Sequence, residues 1–218
     1  SAGGSINSLA LLDNFCWCDS TNPERLAELR DAARACYDCA VAYGTPFISG
    51  KDSMFNDFRG FDENFNEISV SIPPTLLISS IGIVNDVRRC QTIDFKYPGD
   101  FIFIIGETFD EIGQSEYLAY TAEKNHGIDM PCGEVPAVDT ERNMSVYRAM
   151  DAALQKELVS SCISVERGGV AIALAKSSMA GMLGFTASID AFSGFLRHDH
   201  ALFSESQGRF LVSVDPAR

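Results

Sequence analysis

Apolar residues along the chain come in short runs of strand length and in one-sided helical stripes, and the two kinds alternate. Residues 6–17 (INSLALLDNFCW) are apolar except for Asn7, Ser8, Asp13 and Asn14, which predicts a largely buried strand running into a polar turn. Thr21, Pro23 and Glu24 then supply an N-cap, an early-helix proline and a capping-box carboxylate, so a helix is expected over about 21–43. Leu26, Leu29, Ala33, Cys36 and Ala40 form its apolar face and Gly44 closes it. Residues 46–48 start a second strand, and GKDSMFND (50–57) reads as a polar turn after that strand. Strand, helix and strand in this order make a βαβ-like unit.

Beyond a polar loop rich in Phe, Asn and Asp, residues 72–84 (IPPTLLISSIGIV) predict another strand with prolines at its entry. Residues 94–100, around KYPGD, read as a junction, dividing the chain into domains 1–96 and 97–218. Residues 101–106 (FIFIIG) open a second strand set, with a short helix expected near 114–121. After a long connecting segment, a helix over about 140–158 carries Met144, Tyr147, Met150, Leu154 and Leu158 on one side. Residues 163–165 predict a strand, and Gly168 and Gly169 open an Ala-rich helix to about Leu183. Strands are expected at 186–189 and 210–214. The alternation implies an α/β (α+β) fold in two parts, with mixed sheets covered by helices.

Charge narrows the range of partners. Seventeen Lys and Arg against 30 Asp and Glu leave a formal charge of −13, which repels phosphate polymers and anionic lipid, so neither nucleic acid nor membrane is expected as a partner. No apolar run approaches the ~20 residues of a membrane span, and SAGGSINS lacks the parts of a signal peptide, so a cytoplasmic location is expected. Seven cysteines, an odd number, fit reduced thiols better than a disulfide framework. Cys16 with Cys18, and Cys36 with Cys39, raise a four-thiolate zinc site. The second pair lies within a helix and the first along a strand, and His126, His198 and His200 are distant, so core packing is the favoured role.

A phosphate ligand of so acidic a chain must be met locally, and three polar groupings at strand or helix ends invite one. Asp13 and Asn14 close a strand, where a carboxylate can hold a nucleotide hydroxyl or Mg²⁺ and where both residues are also ordinary turn formers. Gly50, Lys51, Asp52 and Ser53 offer close backbone approach, an ammonium, a carboxylate and a hydroxyl. They lack the first glycine of a P-loop, so a phosphate or Mg²⁺ site and a polar loop both remain open. Gly168 and Gly169 at a helix start, with Arg167 before them, group with Ser204, Glu205, Ser206, Gly208 and Arg209, and Gly168, Gly169, Ser204, Ser206 and Arg209 are candidate phosphate-binding groups; seryl turns and a capping glycine explain most of the same residues.

Taken in order, LALLDNFCW, PFISGKDSMFND, IPPTLLISSIGIV, KYPGD, VERGGVAIALA and LFSESQGRFLV span nearly the whole chain. The series resembles the phosphoribosylformylglycinamidine synthases, and within them the second of two tandem AIR-synthetase-like halves. The resemblance implies a partial N-terminal, ATP-binding subdomain over 1–96 and a C-terminal subdomain over 97–218. It implies a ligase that uses ATP and Mg²⁺ to convert formylglycinamide ribonucleotide to its amidine, with ammonia from a glutaminase subunit or domain. Asp13 and Gly50 match positions that contact ATP, and Ser53 matches a substrate contact. No catalytic residue is carried over. Lys51 stands where the family usually has an Asn ligand of Mg²⁺; an ammonium cannot ligate and pairs better with phosphate. SCISVERGGV replaces a pattern with His and Asp, leaving Cys162, Glu166 and Arg167 there.

The resemblance further implies that the earlier strands of this half, and the first half with the catalytic His and most Mg²⁺ ligands, lie outside the chain. Alone, it is expected to be inactive, and an uncovered sheet edge invites a homodimer. The alternatives are a structural, nucleotide-holding half that serves as an interaction scaffold, and another enzyme of the AIR-synthetase superfamily.

Overall fold

A computed structural model describes residues 2–127 and 133–217, which fall into two compact units, Ser5–Ile83 and Val84–Arg218 with Ser1–Gly4. In the first unit a 3₁₀ turn, Ile6–Ser8, precedes β1 (Ala10–Cys16), so the expected strand begins later than residue 6. Helix α1 (Pro23–Tyr43) has Asn22 rather than the expected Thr21 as its N-cap, the Asn22 side chain accepting from the Glu24 N–H at 2.9 Å. Gly44 ends it in the left-handed conformation at φ +66°.

Strand β2 (Phe47–Ser53) carries Gly50, Lys51, Asp52 and Ser53, so these residues are ladder positions and not the polar turn expected of them. Parallel pairing with β1 holds them there: Asp13 faces Gly50, Asn14 faces Lys51 and Cys16 faces Ser53. Strand β5 (Thr75–Ile81) pairs antiparallel with β1 on its other side, giving the order β2-β1-β5. Two short strands, β3 (Phe58–Phe61) and β4 (Glu67–Val70), form an antiparallel hairpin where a loop was expected. Asp62 closes its turn by accepting the N–H groups of Asn64 and Asn66, each at 2.8 Å.

Along β1, Phe15 belongs to a core with Leu29, Ala32 and Cys36 of α1 and with Trp17 and Cys18 just beyond the strand. Side chains alternate across a strand, so Leu11, Asp13 and Phe15 face α1 while Leu12, Asn14 and Cys16 face the other way. On α1 the packed residues are Leu29, Ala32 and Cys36, whereas Leu26 of the expected face is exposed. The second face of the sheet carries Leu77 and Ile81, both exposed.

The second unit is a three-layer sandwich. Strands β6 (Phe101–Ile105), β7 (Ser161–Ser164) and β8 (Phe210–Val214) pair antiparallel in the order β6-β8-β7, so mixed pairing is confined to the first unit. Helix α2 (Glu116–His126) is capped by Ser115, and α3 (Thr140–Gln155) by Asp139. Met150 and Leu154 of α3 pack on one face of the sheet against Cys162, Phe210 and Val212. Helix α4 (Gly169–Gly181) covers the other face, with Val170, Ala173 and Leu174 against Leu211. Each buried Val, Leu, Met or Phe among them contributes roughly 1.5–3 kcal/mol by leaving water. Leu158, expected on the α3 face, lies beyond the helix end and is exposed.

Residues 186–189, expected as a strand, make no ladder, and two short helices, α5 (Asp190–Ser193) and α6 (His198–Phe203), follow them. The compact units divide at 83/84, because the stretch after Ile83 packs within the second unit. Phe95 is buried in its core, donates its N–H to the Ser177 carbonyl at 3.1 Å, and runs so close to Gly181 that a Cβ there would lie 2.1 Å from the Phe95 oxygen. Among the described residues no helix is long and apolar enough to cross a membrane.

Candidate functional site

The β1–β2 ladder brings Asp13 and Gly50 together. Their Cα atoms are register partners, and a Cβ built on Gly50 would lie 2.0 Å from Asp13 Oδ1, so the carboxylate occupies the space that a side chain at residue 50 would need. Only a residue without a side chain allows this approach. Asp13 forms part of the wall of a cleft of about 730 Å³ between α1 and the sheet, within the range of about 300–1,000 Å³ usual for small-molecule sites. Phe15, Cys36, Tyr37, Ala40, Val41 and Phe47 supply its apolar surface. Burial, followed by the nearby Asp13 charge, pushes the Cys36 thiol above its ordinary value. An apolar wall with one carboxylate suits a planar ring and a hydroxyl donor.

Lys51 and Ser53 are displaced by one and three positions from Gly50, so they project from the opposite face of the sheet. Lys51 is exposed beside Asn14, whose Oδ1 is buried with no hydrogen-bond partner. Ser53 is half-buried, and its hydroxyl donates to Asn56 Oδ1 at 2.9 Å. The four residues of the GKDS string therefore serve two surfaces.

The third grouping assembles around the start of α4. Gly168 and Gly169 have φ of +82° and +64°, and a Cβ on Gly169 would lie 2.7 Å from the Ser204 carbonyl oxygen. The Gly168 N–H donates to Glu205 Oε1 at 2.8 Å, and the Glu116 N–H reaches the same oxygen at 3.0 Å. A carboxylate of this chain thus takes the place that a phosphate would take at the helix start. Ser204 and Ser206 accept the N–H groups of Glu111 and Phe109 at 3.3 and 3.0 Å.

Arg209 is 2% exposed and spans the loop: Nε donates to the Ser206 carbonyl at 2.9 Å, one terminal nitrogen to Thr108 Oγ1 at 2.9 Å and the other to the Ser204 carbonyl at 2.6 Å. Burial lowers its pKa to about 10, against the opposing pull of Glu111 and Glu205. Arg167 pairs with Glu116. The geometry gives Gly168, Gly169, Ser204, Ser206 and Arg209 a framework role in place of the expected phosphate contact. Asn56 is the polar residue that spacing alone passed over; an Asn three residues after Ser53 is its only mark in the sequence.

For the cysteines, core packing is the role the sequence favours over a zinc site. Cys18 and Cys162 are buried in apolar cores, burial raising the Cys162 thiol, and among the described residues no three His, Cys, Asp or Glu side chains converge on a metal position. With Lys51 exposed on one face and Asp13 on the other, the described residues do not fit a Mg²⁺ held by protein groups alone.

The comparisons with known proteins extend the picture. Residues 97–218 match the family model described as AIR synthase related protein, C-terminal domain. The chain is 33% identical over 208 residues to the phosphoribosylformylglycinamidine synthase subunit PurL of Moorella thermoacetica, covering 95% of this chain and 26% of that protein. It is 30% identical to the same subunit of Alkaliphilus metalliredigens at equal coverage, so it spans about a quarter of the length of the curated relatives it matches. Among solved structures, T. maritima PurL complexed with FGAR superposes with a TM-score of 0.65 at 19% identity, over 99% of this chain and 32% of that one. The hydrogenase maturation protein HypE in complex with ATP gives 0.57 at 13% identity, over 99% and 59%. These structural likenesses carry the fold, and the family match carries the membership: the chain belongs to the AIR synthase related proteins, through the C-terminal domain that residues 97–218 form.

Proposed function

We propose that this chain is part of a phosphoribosylformylglycinamidine synthase, the ATP-dependent ligase of purine biosynthesis. In this reading ATP phosphorylates the amide oxygen of formylglycinamide ribonucleotide, ADP leaves, and ammonia attacks the same carbon and expels phosphate to give the amidine. Ammonia comes from a glutaminase subunit or domain. The observation that carries the reading is identity of 30–33% with PurL subunits along 95% of the chain, through both compact units.

Asp13 and Gly50 are assigned to ATP: the carboxylate accepts a hydroxyl or amino hydrogen, and the bare backbone of Gly50 leaves room for that carboxylate beside β2. Ser53 is assigned to the ribonucleotide, and Lys51, on the same face, to a phosphate oxygen. Magnesium arrives with the triphosphate, and no step is assigned to a protein-held ion. The subdomain of residues 1–96 holds the nucleotide and that of residues 97–218 supports it; a homodimer and a cytoplasmic location accompany this reading.

Lys51 favours a second reading, in which this half holds a nucleotide structurally, because a cation stands where the related enzymes usually place a metal ligand. ADP release in the protein as the cell makes it, given ATP, formylglycinamide ribonucleotide and ammonium, separates the two. Folded Asp13→Ala and Ser53→Ala variants should turn over measurably more slowly, by about tenfold for one lost neutral hydrogen bond. Variants that match wild type would establish the structural role, and a wild type with no substrate-dependent ADP release would overturn both.

A further inference from the structure

Ser53 is held by a neighbour that decides which kind of group it can receive. Strand β2 ends at Ser53, and the chain turns through Met54 and Phe55, the latter in the left-handed region at φ +58°. Asn56 then returns to the end of β1: its N–H donates to the Trp17 carbonyl at 3.1 Å, and Trp17 N–H donates to the Ser53 carbonyl at 2.8 Å. The Asn56 side-chain nitrogen lies 2.6 Å from the Ser53 carbonyl oxygen and 3.2 Å from the Trp17 carbonyl oxygen.

Two carbonyl oxygens flank that nitrogen, so it must be the amide NH₂, and the opposite atom, 2.9 Å from Ser53 Oγ, must be the carbonyl oxygen. A carbonyl oxygen can only accept. The one proton of the Ser53 hydroxyl is therefore committed to Asn56, and what Ser53 offers outward is lone pairs.

We propose that Asn56 is a positioning residue that fixes Ser53 as a hydrogen-bond acceptor, so that the substrate group Ser53 receives is an N–H or O–H donor and not a phosphate oxygen. A phosphate oxygen also only accepts, and taking one would require breaking the bond to Asn56. The inference rests on the assignment of Ser53 to the ribonucleotide substrate. That substrate carries donors of two kinds, amide N–H groups and ribose hydroxyls.

The test measures kcat/KM in the protein as the cell makes it, with ammonium as nitrogen donor, for three substrates: formylglycinamide ribonucleotide, its phosphate-free riboside and its 2′,3′-dideoxy analogue. Ser53→Ala should lower kcat/KM on the ribonucleotide about tenfold, the range of one neutral hydrogen bond. Asn56→Ala should match it within about twofold, with the double variant no worse than either and KM for ATP unchanged. The Ser53→Ala loss should persist on the riboside. Asn56→Asp keeps an acceptor oxygen and gives up both side-chain donors, so on the uncharged riboside it should restore activity that Asn56→Ala lacks, which a merely structural role would not.

A Ser53→Ala loss that vanishes on the riboside would place Ser53 on the phosphate and overturn the inference. So would additive losses, or an Asn56→Ala variant as active as wild type while Ser53→Ala is impaired. Should Asn56→Ala fail to fold, Asn56→Asp is read against Ser53→Ala on the riboside: activity well above Ser53→Ala upholds the inference, and activity no better than Ser53→Ala overturns it. A silent Ser53→Ala on the ribonucleotide removes the assignment beneath the inference instead. With the dideoxy analogue, disappearance of the loss assigns the donor to a ribose hydroxyl and persistence assigns it to an amide N–H, each upholding the acceptor role.

Discussion

Replacing Gly50 by alanine puts one methyl group where the Asp13 carboxylate now lies. The new Cβ would fall 2.0 Å from Oδ1 and 2.7 Å from Cγ, both inside van der Waals contact. Because Cγ is also too close, turning the carboxylate about its own axis does not relieve the clash. The Asp13 side chain must change its χ1 or the strands must separate. Overpacking of this kind costs about 1–3 kcal/mol. Gly50 is not among the glycines with positive φ, so alanine brings no backbone strain, and the stiffer unfolded chain returns about 0.4–1 kcal/mol. The net effect is a loss of up to about 2.6 kcal/mol, or a fall of up to about 10 °C in melting temperature for a protein of this size. Thermal and urea unfolding of Gly50→Ala, Asp13→Ala and the double variant would read it. With Asp13 removed the methyl has room, so the double variant should be more stable than the sum of the single losses predicts. A Gly50→Ala protein that melts above wild type, or two single-variant effects that simply add in the double variant, would refute the contact.

Arg209→Met should cost about 3 kcal/mol or more, because it leaves the buried Ser204 and Ser206 carbonyls without their charged donor. The denaturant midpoint should fall while nucleotide affinity, titrated under native conditions, holds; lost affinity with unchanged stability would return Arg209 to a ligand role. Acid should also loosen the protein in a defined direction. Asp19 is held below the ordinary carboxylate value of 3.8 by Thr21 and then Arg59, Asp62 by Asn66, and Asp86 by Arg88. Each folded pKa lies below the unfolded one, so these contributions are complete above the unfolded value and are lost as pH falls through the folded values. Melting temperature should drop as pH falls below about 4, less steeply in Asp62→Ala, and a profile that stays flat on acidification would contradict these bonds.

The βαβ start of the fold was legible because local signals agreed there: an apolar run, a proline and capping group, a one-sided helix and a closing glycine. Strand β8 and helix α3 were legible for the same reason. The GKDS string was misread as a turn because Gly, Lys, Asp and Ser have weak strand preference, and pairing with β1 overrides that preference. Residues 186–189 look like a strand by composition, but a strand exists only where a neighbour completes its ladder. The β3–β4 hairpin escaped because each strand has four residues and an Asn- and Asp-rich turn dominates the stretch. At the site, residue types were visible and facing was not: which side of the sheet each residue serves became definite only with the register. Around α4, sequence suggested a place for an anion, and the structure fills it with Glu205, whose reach from a distant loop no local pattern encodes.

The opposed facing of Gly50 and Ser53 also bears on how this segment can change over time. Substitutions along β2 alter one surface at once and leave the other intact, so the two can be tuned separately. Adding or removing one residue between Gly50 and Ser53 would turn everything after it through half a pleat, carrying the Ser53 position to the Asp13 side and pulling Asn56 off the end of β1. This stretch should therefore tolerate changes of spelling far better than changes of length.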